Sequence, residues 1–152
     1  MSKMKLKFDA NQQFQIDAIN SIVDIFDGQE LRRSEFTAYK HNDAMFGAMN
    51  ELGYGNKLDL TAEDLLKNVV TVQDRNKLPR SKNIIDPEYD VPNYAIEMET
   101  GTGKTYVYTR TAIELNKKFG FCKFIVVVPS VAIREGVYKS LQVTKEHFSE
   151  VY

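Results

Sequence analysis

Met98-Glu99-Thr100-Gly101-Thr102-Gly103-Lys104-Thr105 stands between two segments of different period. Before it, Tyr94-Ala95-Ile96-Glu97-Met98 reads as a strand. After it, Val107, Tyr108, Thr111, Ala112, Leu115 and Phe119 recur at helical spacing, predicting a helix over 104–119 closed by Gly120. Strand, glycine-containing turn and helix in that order are the setting of a phosphate-binding loop, G-x-x-x-x-G-K-[ST], here with Met98 in place of the first glycine. The retained residues carry the chemistry. Gly101 and Gly103 let the backbone turn tightly, so that the N–H groups of Thr100 to Thr105, Thr102 among them, line an anion nest. The helix N-terminus adds unpaired donors and the positive end of its dipole. Lys104 supplies a mobile cation for the outer phosphates, and the Thr105 hydroxyl is a ligand for Mg2+. The bland alternative is a Gly-Thr turn with a surface lysine, and the flanking strand and helix argue against it.

Downstream, Phe124-Ile125-Val126-Val127-Val128 is a continuous apolar run stopped by Pro129, which is how a strand buried on both faces of a parallel sheet reads. A further helix is expected over 132–141. Together these segments make a βαβ unit and an α/β fold class. Upstream, Phe14, Ala18, Ile19, Ile22, Val23 and Phe26 predict an amphipathic helix over 11–26, with Asp9 and Gln12 as a capping pair and Gly28 just past its end. Ala44, Met45, Ala48, Met49 and Leu52 fit another helical face, broken by Gly53-Tyr54-Gly55-Asn56. Thr61 to Asp64 reads as the capped start of a short helix, and the β-branched stretch Val69 to Val72 as a short strand. From Asp74 to Val91 a proline-containing stretch with Arg75, Lys77, Arg80 and Lys82 reads as a connector.

The bulk numbers bound the rest. The 152 residues are 43% hydrophobic and 27% charged, enough to bury a core. Twenty Lys and Arg against 21 Asp and Glu exclude a globally basic nucleic-acid binder. One cysteine, Cys122, excludes an internal disulfide framework; just before the apolar run, it reads as a small core residue. No apolar stretch is long enough for a membrane span, and no apolar core follows the basic N-terminus as a signal peptide requires, so a cytoplasmic protein is expected.

Three further readings stand open on local evidence. Ser130 and Arg134, after the apolar run, suit a phosphate of DNA or, equally, an ordinary helix cap. The Gln15 amide suits the adenine edge, and without the loop it reads as an ordinary helical glutamine. The basic connector reads as solvated rather than DNA-binding. His41 and His147 lack neighbours at ligand spacing.

Taken together, Gln15, Glu97 to Thr105, and Val126 to Val137 resemble the restriction (Res) subunit of type III restriction–modification systems, a group of superfamily 2 helicase-like ATPases. Leu65 to Val69 and Gln73 to Ser81 are also similar, so the resemblance covers essentially the whole chain. The absent first glycine agrees with the helicase-type loop. The resemblance implies a partial P-loop, RecA-like motor domain over 93–152 with parallel strands and flanking helices, preceded by a mainly helical segment over 1–92. It implies an ATP-dependent restriction endonuclease with ATP and Mg2+ as cofactors, and DNA and a methyltransferase (Mod) subunit as partners. By position, Gln15 corresponds to the adenine reader, Gly101, Gly103, Lys104 and Thr105 to the triphosphate and Mg2+ site, and Ser130 and Arg134 to the DNA track. Phe8 is a candidate to stack on the base. The Asp-Glu strand that would hold Mg2+ has no counterpart after Val128, since Ile22-Val23-Asp24 and Val70 to Asp74 precede the loop; the catalytic acid stays unassigned. The chain is therefore expected to be the front of a longer enzyme. The alternatives are an inactive remnant or interaction module, and an unrelated P-loop NTPase or helicase. A nucleotide kinase would need acceptor and lid residues for which the stretch after Thr105 is short.

Overall fold

A computed structural model describes residues 8–31 and 56–152. Among the described residues four helices run in the order α1 (Gln13–Val23), α2 (Ala62–Arg75), α3 (Lys104–Phe119) and α4 (Val131–Val151), and a 3-10 turn, Asp24–Phe26, extends α1. The helical face expected around Ala44 to Leu52 lies outside the described residues.

Two of these helices, α2 and α4, begin at a side-chain cap. At α2, the Thr61 hydroxyl accepts the Asp64 N–H at 3.2 Å and the Asp64 carboxylate accepts the Thr61 N–H at 3.0 Å, a reciprocal capping box. The Thr61 hydroxyl, which also donates to the Asp64 carboxylate at 2.6 Å, and then the Thr61 N–H hold the Asp64 carboxyl below its ordinary pKa. At α4, Ser130 Oγ accepts the Ile133 N–H at 3.3 Å. At α1, Gln12 is the cap residue and makes no side-chain cap bond. The expected Asp9–Gln12 pair is absent, because Asp9 Oδ1 instead accepts the Asn11 N–H at 2.9 Å. Gly120 closes α3 in the left-handed region at φ 78°, as expected. Lys118 at that end pairs with Asp27 at 3.6 Å, and Lys117 lies over the Tyr152 ring.

The reading of Val69 to Val72 as a strand is corrected: these residues are helical, inside α2. Leu65, Val69 and Val72 are the buried positions, spaced four and three apart, so helical period overrides β-branched preference. Helix α4 also runs well beyond the expected end near Leu141.

Two apolar clusters meet at Phe26. One joins Ile19 and Val23 of α1 to Val107, Leu115 and Phe119 of α3, with Phe121. The other joins Ile25 to Leu65 and Val69 of α2, with Ile84. Phe26 packs against both, its ring edge-on to Phe121 at 5.4 Å. Burial of this kind contributes roughly 25 cal/mol per Å2 of apolar area and is non-directional. Arg80 meets Asp74 through two bonds, at 2.7 and 2.9 Å, and Arg75 meets Asp24 at 2.7 Å. Two of the four basic residues read in the connector are thus committed to carboxylates of the chain.

Among the described residues no strand ladder forms; Ile85 and Pro92 make an isolated antiparallel bridge. Residues 94–98 and 124–128 lie outside helices and pair with no neighbouring strand. The apolar run is exposed rather than buried, with Ile125 at 91% and Val127 at 87%. A strand of this composition is hidden by partners on both edges and helices on both faces, and the described residues supply neither. Its lead-in is held by one side chain: Asn56 Oδ1 accepts the Cys122 and Lys123 N–H groups, and Asn56 Nδ2 donates to the Lys123 carbonyl. Cys122 itself is exposed, which corrects its reading as a core residue.

Candidate functional site

The site forms where α1 passes the turn before α3. Gly101 and Gly103 both take φ 84°, in the left-handed region, and Gly103 is the residue that caps α3. No side chain caps this helix and no acidic residue lies in its first turn. Helix α2, by contrast, has a capping box and two acids, Glu63 and Asp64, at its start. The N-terminus of α3 therefore keeps its unpaired donors and its positive dipole end for an external anion.

The turn is closed on itself. Lys104 Nζ donates to the Met98 and Glu99 carbonyls, both at 2.8 Å, and Thr102 Oγ1 donates to the Glu99 carbonyl at 2.6 Å. The lysine ammonium is thus held across the turn by bonds that a phosphate oxygen can replace. The Thr105 carbonyl accepts from Thr109 Oγ1 at 2.7 Å within the helix.

Gln15 is the residue that the tertiary structure brings to the loop. It is 8% exposed, and its Nε2 donates to the Thr102 carbonyl at 3.0 Å across 87 positions of sequence. The approach is close enough that a Cβ built on Gly103 would stand 2.6 Å from Gln15 Nε2. One amide hydrogen is used in this bond, and the amide retains a second hydrogen and its carbonyl oxygen.

The remaining candidates are elsewhere. Ser130 and Arg134 lie at the start of α4; Ser130 caps it and Arg134 meets the Glu135 carboxylate at 3.0 Å. No hydrogen bond in the described residues joins either of them to the loop. Phe8 packs against α3 and α4, its ring 6.4 Å from Tyr106 and 5.3 Å from His147. The Tyr106 hydroxyl and His147 Nε2 are 3.0 Å apart, so His147 joins an aromatic cluster beside the loop helix. His41 lies outside the described residues. Among the described residues no group of three His, Cys, Asp or Glu side chains gathers to hold a metal. No described helix is long and apolar enough to cross a membrane.

Comparison with known proteins identifies the family. The family described as Type III restriction enzyme, res subunit, matches residues 10–151. The chain belongs to this family. Membership carries a helicase-like P-loop fold. The chain is 43% identical over 98 residues to the Type III restriction-modification enzyme EcoPI Res subunit of Escherichia phage P1. It is 38% identical over 98 residues to the EcoP15I Res subunit of Escherichia coli. Each of these matches covers 63% of this chain and 10% of the relative. The StyLTI Res subunit of Salmonella typhimurium is 49% identical over 65 residues, 41% of this chain and 7% of that subunit. This Res-family chain thus spans about a tenth of the length of the first two relatives.

One residue that sequence reading missed stands out in the same region. Arg110 of α3 donates from NH1 to the Ala10 carbonyl at 2.6 Å, just ahead of α1. No sequence signal marks it, because the contact spans 100 positions.

Proposed function

We propose that this chain is the ATP-binding front of a type III restriction endonuclease subunit, whose longer form hydrolyses ATP to act on and cleave DNA. The observation that supports the reading is the junction of Gln15 with the loop: a buried glutamine amide bonded to the Thr102 carbonyl, beside a helix start free of acids. A bidentate amide can meet adenine at N6 and N7, and Gln15 retains the donor and acceptor for it.

The residues of the turn suit a triphosphate. Thr100, Gly101, Thr102 and Gly103 would offer backbone N–H groups, Lys104 would exchange its two carbonyls for phosphate oxygens, and Thr105 would ligate a Mg2+ brought by the nucleotide. When bound, that metal neutralises charge on the outer phosphates. The 93–152 stretch would be the opening of a RecA-like motor with parallel strands, and 1–92 the segment that presents the adenine reader. Ser130 and Arg134 would face the DNA backbone. A methyltransferase (Mod) subunit would be the partner, in a cytoplasmic setting.

The test is equilibrium binding of Mg-ATP to this chain, with Lys104→Ala as control. Weak binding that Lys104→Ala abolishes is expected, with little or no hydrolysis. Binding or turnover indifferent to Lys104→Ala would sink the nucleotide assignment. A second reading, an inactive interaction module, is favoured by one observation, the exposure of Ile125 and Val127. Under it the chain binds no nucleotide.

A further inference from the structure

Arg110 is a cation held mostly out of water, its side chain 15% exposed, and its ion-pair partner on the same helix is distant. Glu114, one turn along α3, stands at 3.9 Å, beyond hydrogen-bond reach. The short bonds go elsewhere. NH1 donates to the Ala10 carbonyl at 2.6 Å and Nε to the Tyr152 hydroxyl at 3.2 Å. Tyr152 in turn donates to Glu114. One guanidinium therefore ties together the lead-in of α1, the loop helix α3 and the end of α4.

The tie matters because of what α1 carries. Packing of Ile19 and Val23 against Val107, Leu115 and Phe119 decides which faces of α1 and α3 meet. That contact is apolar and tolerates rotation of the first turn. A helix turns about 100° and rises about 1.5 Å per residue, so a slip of one residue removes the Gln15 amide from the Thr102 carbonyl. A charge-assisted bond at Ala10 is directional, and it sits just ahead of the turn that bears Gln15.

We propose that Arg110 is a positioning residue for base recognition: by fixing the lead-in of α1 to the loop helix, it sets where the Gln15 amide stands and so which base the site prefers, without touching the nucleotide. The inference rests on the reading of Gln15 and the loop as the nucleotide site.

The experiment titrates this chain with ATP, GTP and inorganic triphosphate, each with Mg2+, in the unaltered protein and in Arg110→Ala, Arg110→Lys, Gln15→Ala and Lys104→Ala. The unaltered chain is expected to prefer ATP to GTP. Arg110→Ala lowers that preference about three- to tenfold, the worth of one hydrogen bond, and leaves triphosphate affinity unchanged. Combining it with Gln15→Ala brings no further loss, since both act through one amide. Arg110→Lys keeps the charge but cannot span Ala10 and Tyr152 with a fork, and falls between; it carries the test if the alanine variant fails to fold. Full ATP preference in Arg110→Ala, or in Arg110→Lys where that carries the test, overturns the proposal. So does an equal loss of all three ligands, which is what a purely structural staple produces. Indifference of triphosphate binding to Lys104→Ala, or no base preference in the unaltered chain, overturns the site reading and this proposal with it.

Discussion

Gly103→Ala and Gly101→Ala separate the two demands that the loop places on its glycines. Both residues sit at φ 84°, so each alanine meets a left-handed backbone at a cost of about 1–2 kcal/mol. There the similarity ends. A Cβ at Gly101 meets nothing within 4 Å, whereas one at Gly103 lands 2.6 Å from Gln15 Nε2. The amide is the far end of a flexible side chain and can swing aside. Doing so breaks its bond to the Thr102 carbonyl and leaves a buried amide unpaired, a further loss of about 1–3 kcal/mol. Gly103→Ala is therefore expected to destabilise by about 2–5 kcal/mol and Gly101→Ala by only about 1–2 kcal/mol. Urea unfolding measures both, provided the slopes agree. Gln15→Ala made in each background completes the reasoning: it should be costly beside Gly101→Ala and nearly free beside Gly103→Ala, where the bond is already lost. Equal destabilisation by the two glycine variants, or a Gln15→Ala cost that does not depend on background, would refute the contact between α1 and the loop.

Three more outcomes follow from single observations. Leu65→Ala empties the most buried position of the α2 core, 2% exposed, and should cost about 2–5 kcal/mol in thermal or urea unfolding. Ser130→Ala removes the α4 cap and should cost about 1 kcal/mol, while Ser130→Asp should restore the cap and repel a phosphate. If Ser130 faces DNA, the Asp variant is as stable as the unaltered chain and binds DNA more weakly in a filter or anisotropy assay; unchanged affinity leaves it a cap alone. Burial, and then the bond to Glu114, pushes the Tyr152 phenol up to about 12 from 10.0. Because the folded chain holds this proton more tightly, the stabilisation is complete below about 10 and disappears as pH rises through about 12. Unfolding midpoints followed across that window should fall, and Tyr152→Phe should flatten the fall.

Much of the secondary structure was legible locally. The stripe from Val107 to Phe119, bounded by the Lys104 start and Gly120, predicts α3 with the bounds observed. Thr61 and Asp64 announce the start of α2 through bonds made within one turn. Where two local signals competed, one had to lose. Val69 to Val72 is β-branched, yet Leu65, Val69 and Val72 share a helical face, and burying that face against Ile25 decides the matter. Cys122 misled because its neighbours in sequence are apolar, while its neighbours in space include the exposed Asn56 amide.

By itself the sequence determined the glycine turn, the cation at its end and the helix that follows, because each depends on backbone freedom and on contacts within a turn or two. It also carried the family resemblance, since that too is linear. Tertiary structure alone decided what stands beside the turn. The bonds from Gln15 to Thr102 and from Arg110 to Ala10 span 87 and 100 positions, and no period or spacing encodes a contact at that range. They exist because the apolar faces of α1 and α3 come together and leave these polar groups with partners in each other. The apolar run after Phe124 shows the same division from the other side. Its composition declares that it is to be buried, but burial is a property of neighbours, and among the described residues none stands there.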